Sequence, residues 1–440
     1  MIAAFWKRPW LWGWVIASLV CVPLLSFRHQ SELTGCYLPA ARRFSEGLAL
    51  PGAGGWLYPP VFVVPVLPLV WLPLPVARIL WCLGLVGCAV LSARCIWEAL
   101  MGDAAFRKSM KSPARFLVLV LGLALSSAGH AVVPLGYQSH DLVVMALICA
   151  ATLQGVRALD PLRSQHAKRH ERMSGTCLGL AASCKVMPVL FLPALVADRR
   201  WRASLWMGVT GVACAVGFDL VSWALTGRPH FIAWLHLAAG GSDLTASGGG
   251  RWSSWNPLNQ SMTGVLSRLM VPTPSTLGLE HECMLVAVGE SGRRVVLACW
   301  ELLVVGILLI TTWWTSRMWR ERFGVQGAAP VLHVVALAGA VSCAYLVIAP
   351  HTSNYHFAPV AIAAAAMLAW LVTRGRDPTM IACLAIMIGL SLLPGRDVLG
   401  SRLTDIKLAY GSIAICAVSG LVGALRVMVV SARPWACETP

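Results

Sequence analysis

Long apolar runs separated by short basic loops set the pattern of this chain. LWGWVIASLVCVPLLSF, FLVLVLGLALSSAGHAVV and VVLACWELLVVGILLITTWW are three of them. Each is long enough to cross a hydrocarbon core of about 30 Å as a helix. The pattern predicts a first helix over 10–27 and a block at 57–100 holding two segments separated by LPLP. Further segments are expected near 114–134, 141–157, 174–197, 203–225, 294–316, 329–349, 356–373, 378–394 and 407–430. The N-terminal MIAAFWKRPW resembles a signal sequence but lacks a clear small-residue cleavage site, so it reads as the lead-in to the first membrane helix. The alternating pattern of an outer-membrane barrel is absent. The expected fold is all-α: a polytopic helical membrane protein with about 10–13 spans, forming a single integral membrane domain over 1–440.

Counted one span per segment, the chain has 12 helices with both termini in the cytoplasm, on the side of Lys7 and Arg8. The basic loops around Arg107, Lys108, Lys111 and Arg115, and around Arg157, Arg163, Lys168, Arg169 and Arg172, cannot then all face inward. One repair makes 174–197 a pair of half-helices broken at Lys185 and lets 57–100 cross once or three times. The sequence does not choose between these topologies. In the later half, RMWRERF (317–323) and TRGRD (373–377) are expected on the cytoplasmic side. The loop 28–56, the long segment 226–293 and the motif at 349–356 are then expected on the other side. Within the long segment, 258–270 reads as an interfacial amphipathic helix.

Composition agrees with the pattern. The chain is 58% hydrophobic and 12% charged, against about a quarter charged in a soluble domain, and its mean hydropathy is +0.71. A net charge of +16 suggests nucleic acid, but the basic residues fall in loops between apolar segments. Positive-inside topology accounts for them, and no nucleic-acid partner is expected. Cys82, Cys88, Cys149, Cys214, Cys343 and Cys416 lie inside apolar segments without CxxC spacing and read as small hydrophobes.

The unusual polar residues gather on the non-cytoplasmic side. Glu32 follows the first helix; Gln138, His140 and Asp141 open the 141–157 segment. Arg251, Asn256, Asn259, Gln260 and Arg268 belong to the long loop, and His351, Asn354 and His356 precede the 356–373 helix. Lys185, Asp219 and Glu301 lie in or near apolar segments and receive no role. No Asp-x-Asp or metal-ligand spacing occurs, so neither a metal nor another cofactor is expected.

The pattern around Glu32 resembles a known group. Glu32 is followed by LTGC, then by YLPAAR from Tyr37 to Arg42, Gly47, and YPP from Tyr58 to Pro60. Asn259, Gln260 and Ser261 precede Gly264 and Arg268 as in N-Q-S-x-x-G-x-x-x-R, and APHTSNYHF resembles S-P-x-S-W-x-H-H. GYQSHD, from Gly136 to Asp141, is an imperfect match to G-Q-x-N/D. Together these are similar to the polyprenyl-phosphate-sugar-dependent glycosyltransferases of the C superfamily, family 87, which include polyprenol-phosphate-mannose α-1,2-mannosyltransferases. The resemblance implies a C-superfamily bundle with outward-facing catalytic loops in a plasma membrane. It implies an inverting hexosyltransferase that uses a polyprenyl-phosphate sugar, with mannose the family's sugar, and a glycolipid or glycan acceptor. Glu32 would be the catalytic base where the family carries Asp. His356, Tyr37, Tyr58, Gln138, His140, Arg251, Asn256, Asn259, Gln260, Arg268, His351 and Asn354 would bind substrate, His356 at the leaving phosphate.

Other readings compete. Glu32 as a solvated loop carboxylate would pair with Arg28 or Arg42, and Glu46 is a poorer rival for the base. A transporter or lipid flippase would carry polar residues at mid-membrane and repeat symmetry; only Lys185 sits mid-segment, and no internal repeat is visible. A non-catalytic assembly protein of the same fold is the third reading, motivated by Glu in place of Asp.

Overall fold

The computed structural model describes residues 9–26, 31–48, 50, 58–159, 164–241, 259–270, 286, 288–323, 331–349, 352–393, 399, 403–404, 406–408 and 410–432. Among them no strand occurs. Among the described residues, six helices are long and apolar enough to cross a membrane, and five shorter apolar helices accompany them. The all-α, multi-pass membrane architecture read from the hydrophobic pattern is what the structure has.

Helix α1 (Pro9–Leu25) leads to a π-helical turn at Leu33–Tyr37 and α2 (Leu38–Ser45). The segment expected as a loop is therefore partly helical, and Leu33, Tyr37, Ala40, Ala41 and Phe44 are its buried face. In the Pro-rich stretch that follows, Pro60–Val63 and Leu67–Leu69 form short 3-10 turns, because repeated prolines cannot sustain an α-helical ladder. A single span, α3 (Leu74–Leu100), then crosses where two segments were possible. Next come α4 (Ala104–Ser109), α5 (Pro113–Tyr137) and α6 (Asp141–Arg157). Helix α7 (Ser164–Cys184) stops at Lys185, and the chain continues through a 3-10 turn at Met187–Leu190 and α8 (Phe191–Ala197). Pro188 at the start of that turn has no N–H to extend the preceding ladder. Beyond it lie α9 (Trp201–Thr226), α10 (His230–Gly241), α11 (Met262–Met270), α12 (Glu290–Phe323) and α13 (Val331–Ile348). A 3-10 turn at Asn354–Phe357, α14 (Val360–Arg374), α15 (Pro378–Ser391) and α16 (Ser412–Ala432) complete the described elements.

The helices pack in two groups. One joins α1, α3, α6, α7 and α9; the other joins α5, α13, α14, α15 and α16. In the second group, α13 has 89% of its most apolar window buried, whereas α9 has 17%. Small residues allow that burial: a Cβ on Gly339 would lie 2.7 Å from the Ala363 Cα, and one on Gly420 would lie 2.8 Å from the Cys343 Sγ. The first group has its own GxxxG contact, where Gly175 and Gly179 of α7 meet the backbone of α9.

Ion pairs define one end of the bundle. Glu98 accepts from Arg94 and Arg157, Asp103 from Arg374, and Asp377 from Arg426. Arg320 donates to the Asp198 carbonyl, and His333 lies 3.4 Å from the Asp198 carboxylate. The basic loops after α3 and α6 thus share an end with 317–323 and 373–377. One crossing by α3 and a break at Lys185 resolve the parity conflict. Exchanging Gly175 for Ala places a methyl 2.2 Å from the Ala203 carbonyl oxygen. We expect G175A to cost about 1–3 kcal/mol, seen as a lower midpoint in detergent thermal unfolding, with Gly208→Ala on α9, where nothing lies within 4 Å, as the control whose midpoint does not fall.

Candidate active site

Opposite the ion-pair end, residues from both helix groups converge. Glu32, half-buried before the π-helical turn, accepts a hydrogen bond from the Tyr58 hydroxyl at 3.2 Å and one from the Tyr355 hydroxyl at 3.0 Å. Two hydroxyl donors favour the ionised form of a carboxylate. The same tyrosines connect Glu32 to two histidines. The ring of Tyr58 lies 4.5 Å from that of His140, and the ring of Tyr355 lies 4.5 Å from that of His356.

Tyr37, fully buried, accepts from the His140 backbone N–H at 3.3 Å, and its hydroxyl lies 2.9 Å from His140 Nδ1. The Tyr37 hydroxyl thus contacts His140 twice, at its backbone N–H and at ring Nδ1. Burial pushes the His140 imidazole down to about 4, so it is neutral at physiological pH. Burial also raises the Tyr37 and Tyr58 phenols well above their ordinary range, which keeps both as hydroxyl donors. Gln138 holds the approach to His140 in a left-handed conformation with φ of 56°, sparsely populated for a non-glycine residue. Its side-chain amide donates to the Leu25 carbonyl at 2.9 Å, and its own carbonyl accepts from the Trp81 indole at 2.9 Å. Gln138 thereby ties the ends of α1, α3 and α5 together beside His140.

Beneath these residues lies a buried ion pair. Asp141 opens α6, Lys185 follows the last residue of α7, and Lys185 Nζ lies 2.5 Å from Asp141 Oδ1. The other carboxylate oxygen accepts from the Ser139 hydroxyl at 2.7 Å. His356 Nε2 stands 3.7 Å from Asp141 Oδ2, too far for a hydrogen bond. His356 Nδ1 accepts the Ser353 backbone N–H at 3.2 Å within a capping box, so the proton of a neutral ring is on Nε2. Asp141, Lys185 and Tyr355 are the site members to which sequence reasoning gave no role. An Asp at a helix start and a Lys inside an apolar segment were visible, but their pairing across 44 residues was not.

The N-Q-S segment braces the site from behind. Asn259 Oδ1 accepts from the backbone N–H groups of Ser261 and Thr352, each at 3.1 Å. Gln260 bonds to the Thr352 carbonyl through its backbone N–H and to the Leu408 carbonyl through its side chain. Arg268, 1% exposed, donates to the Asn259 carbonyl at 3.0 Å. Gly264 belongs to the motif because a Cβ there would lie 2.9 Å from the Asn259 side chain. Helix α11 is thus a buried brace and not an interfacial helix, and Arg268 does not reach lipid head groups. Asn259 is fully buried, which removes its sequon from a glycosylating enzyme.

Other expected residues fall elsewhere. Glu46 caps the end of α2 and is exposed, as is Arg42. Asn354 starts the 3-10 turn and accepts from the Ser353 hydroxyl. Asp219 accepts the backbone N–H groups of Phe231 and Ile232 and caps α10. Arg28, Arg251, Asn256 and His351 lie outside the described residues.

A family comparison adds to this geometry: the model of glycosyltransferase family 87 matches residues 56–348. The chain belongs to glycosyltransferase family 87. The match begins after Glu32 and ends before Tyr355 and His356, so the roles of those residues rest on geometry. No curated protein matches the chain. Among solved structures, the chain is similar to the crystal structure of ArnT from Cupriavidus metallidurans bound to undecaprenyl phosphate. The identity is 14%, the coverage 96% of this chain and 77% of that one, and the TM-score 0.34. Family 87 membership makes sugar transfer the chemistry that the site must serve.

The brace leads to a direct expectation. Asn259→Ala leaves the buried Thr352 N–H without its acceptor, at a cost of about 1–3 kcal/mol. It also loosens the turn that carries Tyr355 and His356. Thermal unfolding should therefore show a lower midpoint, and hydrogen exchange should rise at 352–357.

Proposed function

We propose that this membrane protein is an inverting glycosyltransferase. It moves a hexose, mannose by family resemblance, from a polyprenyl-phosphate donor to an acceptor hydroxyl on a glycolipid or glycan. The ion-pair end faces the cytoplasm and the site opens on the outer side of the plasma membrane. That orientation puts the basic loops inward.

The observation that carries the reading is Glu32 held between two tyrosine hydroxyls, one of them that of Tyr355, whose chain neighbour His356 has a buried imidazole N–H. Inversion needs a base for the acceptor hydroxyl on one face of the anomeric carbon and a stabiliser for the leaving group on the other. Glu32 takes the acceptor proton, an assistance of about 10²–10⁴-fold. To do so, the acceptor hydroxyl replaces one tyrosine as the donor to the carboxylate. His356 Nε2–H meets the charge that develops on the leaving phosphate. Tyr37 holds His140, and the N-Q-S brace holds the turn bearing His356; neither needs to touch the sugar for this role. Glu in place of Asp fits because Tyr58 and Tyr355 reach the longer carboxylate and fix it.

Transfer of labelled sugar from polyprenyl-phosphate-mannose in membranes expressing the wild type, Glu32→Gln and Glu32→Asp tests this. Gln should abolish transfer at least about 10²-fold. Asp should retain part of it, reduced by up to about 10²-fold because its carboxylate stands roughly 1 Å back. Equal transfer by all three would remove Glu32 from the mechanism. A transporter reading predicts no transfer by any of them.

A further inference from the structure

The mechanism above does not use Lys185, a buried cation at the site end of the bundle. Its side chain is 10% exposed, and so is that of His356, whereas Asp141 is 1% exposed. Both donor-bearing side chains are thus slightly less buried than the carboxylate they flank. Lys185 has three N–H donors, of which one is committed to Asp141. His356 Nε2 is buried, carries a proton and meets no hydrogen-bond partner. Spare donors from an ammonium and an imidazole therefore flank one carboxylate, Lys185 bonded at Oδ1 and His356 Nε2 standing 3.7 Å from Oδ2. Two further features identify what they await. Lys185 lies in a helix break, where irregular backbone at membrane depth is tolerated if it lines a cavity. Val186 and Val189, next along that break, are 42% and 50% exposed and give the cation an apolar approach.

We propose that Lys185 and His356 form a receptor for a phosphate monoester borne on a lipid, and that Asp141 is its resident counter-ion. In the empty site Asp141 balances Lys185. When the phosphate arrives, Lys185 and His356 Nε2–H turn their donors to it and Asp141 keeps its bond from Ser139. Asp141 then repels the bound dianion and limits how tightly the spent lipid phosphate is held after transfer. The proposal rests on the glycosyl-transfer reading and deepens it. It makes the ion pair a release device and assigns Lys185 to binding the leaving group.

The test measures binding, not turnover. Full-length protein in nanodiscs of neutral lipid is titrated with undecaprenyl phosphate, with phosphatidic acid and inorganic phosphate as comparisons. The variants are wild type, Asp141→Asn and the double variant Asp141→Asn with Lys185→Gln, which keeps both positions filled without charge. Lys185→Gln alone strands a buried carboxylate, so the double variant serves for folding. Asp141→Asn should bind undecaprenyl phosphate more tightly than wild type, on the order of tenfold, and show a larger thermal upshift with ligand. The double variant should bind it at least about tenfold more weakly than Asp141→Asn. A purely structural ion pair predicts instead that Asp141→Asn weakens binding or leaves it unchanged. That result, or a double variant that binds like Asp141→Asn, overturns the proposal and leaves the glycosyl-transfer reading standing. Equal binding of inorganic phosphate overturns the lipid-borne assignment. A wild type that binds no undecaprenyl phosphate removes the polyprenyl-phosphate reading itself.

Discussion

The buried pair of Asp141 and Lys185 is the interaction on which the site depends. Removing either charge from water alone is worth several kcal/mol of penalty, which only close pairing and further hydrogen bonds offset. The fold helps on both sides. Asp141 stands at the N-terminus of α6, where exposed N–H groups favour an anion, and Lys185 stands just past the C-terminus of α7, where carbonyls favour a cation. Antiparallel packing of α6 on α7 brings these opposite ends together. Because Pro188 follows, α7 cannot continue and carry Lys185 away from its partner. Break, pair and packing are therefore one constraint.

Tyrosine does a different job nearby. The chain has six, and Tyr37, Tyr58 and Tyr355 all hold groups of the site. A phenol delivers a hydrogen bond from a rigid, largely apolar body, so it can order a carboxylate or an imidazole without introducing another charge. An Arg beside Glu32 would bind the carboxylate more strongly and would be harder for an acceptor hydroxyl to displace.

Much of this was legible in the sequence. The spans follow from apolar run length, and Glu32, Tyr58, His140 and His356 were drawn to one side by topology and motif. What stayed hidden were relations across distance. Lys185 was a charge inside an apolar segment with no role until α6 supplied its partner, and Tyr355 was one residue in a loosely matched motif until it met Glu32 across 323 positions. Arg268 illustrates the converse. Its amphipathic setting suggested a lipid interface, yet the carbonyls at 259 and 408 are buried acceptors that need a donor more than the head groups do.

The division into two helix groups gives these contacts a further meaning. Glu32, Tyr58, His140, Asp141 and Lys185 belong with the first group, while Tyr355 and His356 precede α14 in the second. The site is thus a seam, and Glu32 and His356 stand on opposite sides of it. Tyr355 to Glu32 crosses the seam at the site; Asp103 to Arg374 and Asp198 to His333 cross it at the far end. Misplacement by roughly 1 Å across such a seam costs about 10²-fold in rate. The small-residue contacts that make α13, α14 and α16 unyielding therefore act on the chemistry too. They fix His356 relative to Glu32, which belongs to the other group.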